Sequence, residues 1–244
     1  MNHNFNVLLV SRTQSKLDDT KREIERESPD AKIRTFAFDL TAGSAKDYKP
    51  LISVLDELEV GILVNNVGMF YEYPEIMHLV DGGLSFVAKM STCNMLPVVV
   101  LSTAVLPQMV ARNAGVIINI SSGSAYMIGA YWNVYSATKR FVVQLSEILH
   151  YEYESLGITV QTICPNLVST KMSKNPRAAF FTPGPDDFVK GALRTVGLAR
   201  ETTGYFAHQI QFEMLGFMPA WLTRIASTTV AKQLREEGIA RKKL

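Results

Sequence analysis

Val116-Ile-Ile-Asn-Ile-Ser-Ser-Gly123, followed after a short loop by Tyr135-Ser-Ala-Thr-Lys139, is the stretch whose reading decides the fold. Val116 to Ile120 is a continuous apolar run, the signature of a strand covered on both faces in a parallel sheet. Ser121-Ser-Gly123 ends it, and a helix is predicted from Val134 to Ser155. On that helix Tyr135 and Lys139, at i and i+4, share one face about one turn apart. The strand end is where open α/β sheets gather ligand sites, so Ser122, thirteen residues before Tyr135, is a candidate to hold a carbonyl oxygen. An ammonium beside a phenol favours the phenolate, so the spacing predicts a lowered tyrosine pKa and a usable general acid in Tyr135.

Outward from this unit the alternation repeats. Asn6 to Val10 reads as a strand, Thr13 to Glu27 as a charged helix, and Ile33 to Phe38 as a strand ending at Asp39. Lys46 to Leu58 has helical spacing, Ile62 to Asn65 is a short strand, and Leu84 to Ala111 is an apolar helix. Beyond Ser155 come a strand at Thr159 to Cys164, stopped by Pro165, and a helix at Pro185 to Leu198. Repeated strand and helix units predict an α/β fold, a doubly wound, Rossmann-like parallel sheet in a single domain over residues 1–244. Residues 204–244 are read as part of that domain. They are rich in Phe, Met and Leu as far as Ala226 and charged afterwards.

Composition narrows the function. Of 244 residues, 47% are hydrophobic and 20% charged, which suits a folded globular chain and neither a disordered one nor a multi-span membrane protein. The 25 basic and 23 acidic side chains are mixed along the chain, so no footprint for nucleic acid is expected. Cys93 and Cys164 lie in apolar stretches without a CxxC or His partner, so neither a metal site nor a disulfide framework is expected. The first residues are polar and show no signal peptide, and the apolar run Met95 to Val110, interrupted by Pro97 and Pro107, reads as a buried helix rather than a span.

Together with Asn65-Asn-Val-Gly68, these motifs resemble the short-chain dehydrogenase/reductase family. The resemblance implies carbonyl reduction with a nicotinamide cofactor. Tyr135 would be the proton donor, Ser122 would orient the oxygen, and Lys139 would contact the nicotinamide ribose. It also implies a catalytic role for Asn94, in a helix interruption whose backbone holds a water relay to the lysine. The family's NNAG motif corresponds to Asn65 through Gly68, with Val67 for alanine, and implies cofactor contacts from Asn66 and Gly68. Its PGxVxT segment corresponds to Pro165 through Thr170, with Asn166 for glycine, and implies contacts from Val168 and Thr170. Asp39 corresponds to an adenine-binding aspartate, or else caps a turn.

Ser11-Arg12 stands where NAD-binding sheets carry a carboxylate, and a guanidinium there suits a ribose 2′-phosphate, so NADP(H) is the expected cofactor. The alternative is an arginine merely exposed at a strand end. The family's opening strand and TGxxxGIG turn have no counterpart, so the first strand-helix unit is absent and the chain is expected to be an amino-terminally truncated form with weakened cofactor binding.

Further similarity, through Phe188 to Gly197, Gly204 to His208 and Pro219 to Trp221, is to the branch of very-long-chain 3-oxoacyl-CoA reductases and 17β-hydroxysteroid dehydrogenases. It implies a lipid or steroid ketone as substrate, the endoplasmic reticulum membrane as location, and a homodimer through the helices at Leu84 to Ala111 and Val134 to Ser155. Phe206 to Ile225 is read as a substrate lid, a membrane-surface helix or ordinary core. Arg241 to Leu244 is read as a dilysine-type retrieval signal or a solvated basic tail. His208 is read as a satisfied core histidine. The competing reading is a reductase-like scaffold, catalytically impaired, acting through protein contacts.

Overall fold

The computed structural model describes residues 5–170, 173 and 178–242. They form a Rossmann-like α/β fold whose residues group into two compact units, Met1–Leu58 and Glu59–Leu244. The first unit runs β1 (Val7–Ser11), α1 (Gln14–Glu27), β2 (Ile33–Ala37), a 3-10 turn (Ala45–Tyr48) and α2 (Lys49–Asp56). β1 and β2 pair in parallel from Val7 opposite Ile33 to Ser11 opposite Ala37. Ser44 starts the 3-10 turn. Its hydroxyl accepts from the Lys46 amide and the Asp47 carboxylate accepts from the Ser44 amide, so two otherwise unpaired donors are satisfied. Tyr48 is fully buried with Leu51, Val54 and Leu55, and its hydroxyl donates to the Leu40 carbonyl at 3.2 Å.

The second unit runs β3 (Ile62–Asn65), α3 (Gly83–Arg112), β4 (Gly115–Ile120), α4 (Asn133–Tyr153), β5 (Ile158–Ile163), α5 (Pro185–Leu193), β6 (Glu201–Thr202), α6 (Phe206–Gly216) and α7 (Ala220–Lys242). Its four strands are all parallel, in the order β3-β4-β5-β6. Ile117, Ile118 and Asn119 of β4 are all buried, as the unbroken apolar run predicts for a strand covered on both faces.

A polar ladder runs through this core. The Asn65 amide donates to the Asn119 carbonyl oxygen at 2.8 Å, and the Asn119 amide donates to the Ser146 hydroxyl at 2.8 Å. Ser146 in turn donates to the Val142 carbonyl at 2.7 Å. The ladder ties the ends of β3 and β4 to α4 and fixes their register, because each amide left without its partner would be buried unpaired.

Several elements depart from the sequence expectation. The strands pair in two parallel sheets rather than one continuous sheet. α5 stops at Leu193 instead of Leu198. The Gln161 amide takes the Thr195 carbonyl at 2.9 Å, and Gly197 adopts φ +78°, so the helical ladder cannot continue. β6 is only two polar residues and carries no hydrophobic period, yet it pairs with Thr162 and Ile163. α3 runs 30 residues and is long and apolar enough to cross a membrane, beyond what Met95 to Val110 suggests. It is nonetheless a core helix by its contacts, with Met90, Cys93, Val98, Leu101, Val105 and Met109 buried at helical spacing. The retrieval-signal residues Lys243 and Leu244 lie outside the described residues.

α3 ends at Asn113, in the left-handed region at φ 52°, and Gly157 at φ +73° leads into β5 against the Asn113 carbonyl. A Cβ on Gly157 would sit 2.3 Å from that oxygen, so only glycine fits. The ladder supplies the first test. Asn119→Ala takes away the acceptor of the 2.8 Å Asn65 bond and the donor to Ser146, leaving Asn65 only its 3.4 Å bond to Ser102 and Ser146 its bond to Val142, and is expected to cost about 2–4 kcal/mol, read from the urea midpoint. A loss below about 0.5 kcal/mol would remove the ladder from the account.

Candidate active site

β4 delivers Ser121 and Ser122 to one end of the sheet, and the start of α4 delivers Tyr135 and Lys139 to the same place. Ser122 is extended, at φ −165° and ψ 150°, and caps a 3-10 turn over Gly123–Tyr126 by accepting from the Ser124 amide at 3.2 Å. The Gly123 amide donates to the Pro165 carbonyl at 2.8 Å, and a Cβ on Gly123 would fall 2.1 Å from Asn166 Oδ1. Glycine therefore lets the ends of β4 and β5 close together. The Ser121 hydroxyl donates to the Lys139 carbonyl at 2.8 Å and pins α4 to β4.

Lys139 is only 5% exposed, and its ammonium donates to the Ile120 carbonyl at 3.0 Å. The ammonium lies 5.9 Å from the centre of the Tyr135 ring, and the Ser122 hydroxyl is near enough to the Tyr135 phenol to favour its ionised form. The sequence-predicted trio is thus one cluster. Its electrostatics differ from the expectation. Burial raises the Tyr135 pKa above the ordinary phenol value, with Ser122 opposing the rise, and burial pulls the Lys139 ammonium down to about 8. Both groups lose water together, and that loss outweighs the attraction of a cation whose proton points at Ile120 O. At neutral pH the phenol is protonated and the ammonium is mostly so.

Asn94 is 1% exposed. Its Oδ1 accepts from the Met69 amide at 2.7 Å, and its Nδ2 donates to the Met69 carbonyl at 3.1 Å and to Thr138 Oγ1 at 3.0 Å. The expected interruption at Asn94 is not seen, since α3 continues through it. The local irregularity is Pro97, which lacks the N–H that would close onto the carbonyl of residue 93. Asn94 fastens the segment after β3 to α4, which brings Gly68 close. A Cβ there would lie 3.4 Å from Lys139 Nζ and 3.6 Å from Asn94 Oδ1. Asn66 is exposed at the end of β3.

In the segment after β5, Val168 is half-buried and Thr170 exposed, with the Thr170 amide donating to Ser173 Oγ at 3.0 Å. His208, fully buried, holds this segment by both ring nitrogens. Nδ1 accepts from the Asn166 amide at 3.3 Å and Nε2 faces the Leu167 carbonyl at 3.2 Å, which requires the neutral ring with its proton on Nε2. Burial lowers the His208 pKa accordingly. A clamp between residues some forty positions apart has no local sequence signal. Within the first unit, Arg12 is exposed just past β1, and the Asp39 carboxylate accepts from the Thr41 amide at 3.0 Å and the Thr41 hydroxyl at 2.9 Å, a local turn.

An aromatic wall covers the phenol. Phe70 meets Tyr135 edge to face at 4.7 Å between centroids and stacks on Trp132 at 5.6 Å. Tyr71, Val80 and Met90 form a buried cluster against which Phe86, Val134 and Tyr135 pack. A cleft of about 220 Å³ is lined by Tyr71, Tyr73, Val80 and Phe86 from the same wall. The Tyr71 hydroxyl donates to Asn133 Oδ1 at 2.5 Å and accepts from the Tyr135 amide at 3.1 Å, a contact the sequence motifs do not announce.

Comparison with known proteins agrees with this geometry. The family described as short chain dehydrogenase matches residues 1–179. A very-long-chain 3-oxoacyl-CoA reductase of Caenorhabditis elegans is 51% identical over 238 residues, covering 96% of this chain and 75% of that protein. The human very-long-chain 3-oxoacyl-CoA reductase is 41% identical over 220 residues, covering 90% and 70%. Among solved structures, a short-chain dehydrogenase from Sphingobium yanoikuyae in complex with NADPH superposes with a TM-score of 0.70 at 27% identity, over 81% of this chain and 77% of that one. With its parallel α/β fold and its clustered serine, tyrosine and lysine, the chain belongs to the short-chain dehydrogenase family of oxidoreductases.

Proposed function

We propose that this protein reduces the ketone of a long-chain 3-oxoacyl-CoA to the secondary alcohol, using NADPH. The observation that carries the reading is the cluster of half-buried Ser122 and Tyr135 with buried Lys139 at the end of β4. The substrate class is supported by the names of the relatives, by the aromatic wall over the phenol, and by the run of exposed apolar side chains in α6 and α7.

The residues present suit the nicotinamide end of the cofactor. Lys139 offers a buried ammonium, and Gly68, lacking a Cβ, leaves that ammonium approachable. Tyr135 and Lys139 would hold the ribose, with Gly68, Asn66, Val168 and Thr170 beside it. Arg12 would meet the 2′-phosphate and Asp39 the adenine. When bound, the nicotinamide supplies hydride to the ketone carbon. Ser122 orients the ketone oxygen by hydrogen bonding, and Tyr135 gives that oxygen its proton. Because burial keeps Tyr135 protonated, the acid is in its donating form at neutral pH. Lys139 stabilises the phenolate left behind, and Asn94 keeps Met69, Gly68 and Thr138 in place around the ammonium. The aromatic wall excludes water from the phenol.

In α6, α7 and the turn between them, Met214, Phe217, Trp221 and Ile225 are 63%, 88%, 63% and 56% exposed. Large apolar and aromatic side chains so displayed support contact with a membrane surface, in keeping with the endoplasmic reticulum as location.

NADPH consumption with a long 3-oxoacyl-CoA, set beside a 17-ketosteroid, tests the substrate. Turnover of the thioester at least about 10-fold more efficient is expected, and turnover of neither contradicts the reading. Tyr135→Phe and Lys139→Met should each lower kcat by about 100-fold or more. The rate of reduction should hold below pH about 8 and fall above it, because the depressed Lys139 pKa means the ammonium is lost there. Stability moves the other way. Burial destabilises the charged form, so Lys139 contributes a gain in stability as pH rises from about 8 toward 10.5. Arg12→Ala should reduce the preference for NADPH over NADH by about 10-fold, measured as the ratio of kcat/KM values, and an unchanged ratio would remove Arg12 from cofactor selection.

A further inference from the structure

α7 contributes none of the residues discussed so far to the reaction, yet one face of it is fastened to both segments that flank Tyr135. Ser227, Ala231, Arg235, Gly238 and Lys242 recur at helical spacing along that face. At its amino-terminal end, a Cβ on Gly129 would fall 2.0 Å from Ser227 Oγ, and the Ala130 amide donates to Thr228 Oγ1 at 3.2 Å. That half seats the helix on the loop that leads into α4. At the other end, a Cβ on Gly238 would lie 2.3 Å from Tyr73 Cβ, and Lys242 pairs with Asp81 at 2.7 Å. That half seats it on the segment after β3.

Between the two lies Glu75, a carboxylate only 4% exposed. Arg235 Nε and Nη2 both reach its Oε2 at 2.7 Å, and its Oε1 accepts from the Ile76 amide at 2.8 Å. The backbone carbonyl of Glu75 accepts from Asn133 Nδ2 at 2.8 Å. Asn133 Oδ1 receives the Tyr71 hydroxyl at 2.5 Å, and that hydroxyl receives the Tyr135 amide at 3.1 Å. A continuous path therefore joins the guanidinium on α7 to the backbone of the proton donor. Burying a carboxylate is costly unless a cation answers it, so without Arg235 Glu75 must move to water or take up a proton. Either change shifts the residue whose carbonyl holds Asn133.

From this we infer that α7 is a brace for the catalytic helix, with Glu75 and Arg235 as positioning residues that set Tyr135 through Asn133 and Tyr71. The inference rests on the reductase reading for its kinetic consequence, and on geometry alone for its structural one. Truncating the guanidinium loosens the first turn of α4 without touching the ends of β4 or Lys139.

The test compares Arg235→Met, Arg235→Lys and Glu75→Gln in the full chain. Kinetics with NADPH and a long 3-oxoacyl-CoA are set beside amide hydrogen exchange of peptides covering 133–139 and 115–120. For Arg235→Met we expect kcat to fall about 10-fold with the KM for NADPH unchanged, and exchange at 133–139 to quicken about 10-fold while 115–120 stays protected. Glu75→Gln should share this pattern and Arg235→Lys should restore most of it. Unchanged exchange at 133–139, or an equal rise in both peptides, overturns the brace, as does a kcat that stays at the unsubstituted level. If the unsubstituted protein reduces no ketone, the reaction assignment fails on that result, and the exchange pattern still decides the brace.

Discussion

A lysine ammonium cannot be taken out of water unless something else holds it, and the second unit is arranged around that requirement. Lys139 is buried, answered by the carbonyl of Ile120, and its pKa falls to about 8 as the residual cost. The carbonyl is available because β4 ends there and its next residues turn away into the Ser122 cap. The position of β4 depends on Asn119, which is fixed between Asn65 and Ser146, and α4 is drawn to β4 by Ser121 on the carbonyl of Lys139 itself. The chemistry therefore sits where two elements must meet to satisfy buried polar groups. A site built this way is held in place before any ligand arrives.

The ring of Tyr135 also meets Phe70 edge to face and packs against the Tyr71 cluster. One side of Tyr135 is thus polar and shared with Ser122 and Lys139, and the other is aromatic. The proposed ketone on a long apolar chain would use both sides, its oxygen toward Ser122 and its chain along the aromatic wall. Keeping the phenol dry raises its pKa and makes it a reluctant acid in isolation, so in the reaction proposed above the ammonium would act chiefly by stabilising the phenolate.

Much of this was legible in the sequence because it is local. The strand before Ser122 is a continuous run of Val and Ile, and Tyr135 and Lys139 stand one helical turn apart, so their shared end of the sheet followed from period and spacing. What escaped depends on distant partners. β6 is visible only through the carbonyls and amides it exchanges with β5. His208 was legible as a satisfied core histidine, but not that its partners are the backbone of Asn166 and Leu167, some forty positions away. Glu75 and Arg235 are 160 positions apart and belong to no motif. The direction of the Tyr135 shift was misread because spacing shows the charge beside a group but not the water it has lost, and here the second effect is the larger.

Burial of the Lys139 ammonium beside Tyr135 is the point on which the account turns, and its ionisation can be watched directly. Selective ¹³C labelling at the lysine ε carbon, with Lys139→Met to assign the resonance, gives its titration curve by nuclear magnetic resonance. A midpoint near 8 is the predicted result. A midpoint at the ordinary 10.5 would mean that the ammonium is solvated, and the dry, pre-set site described above would not exist.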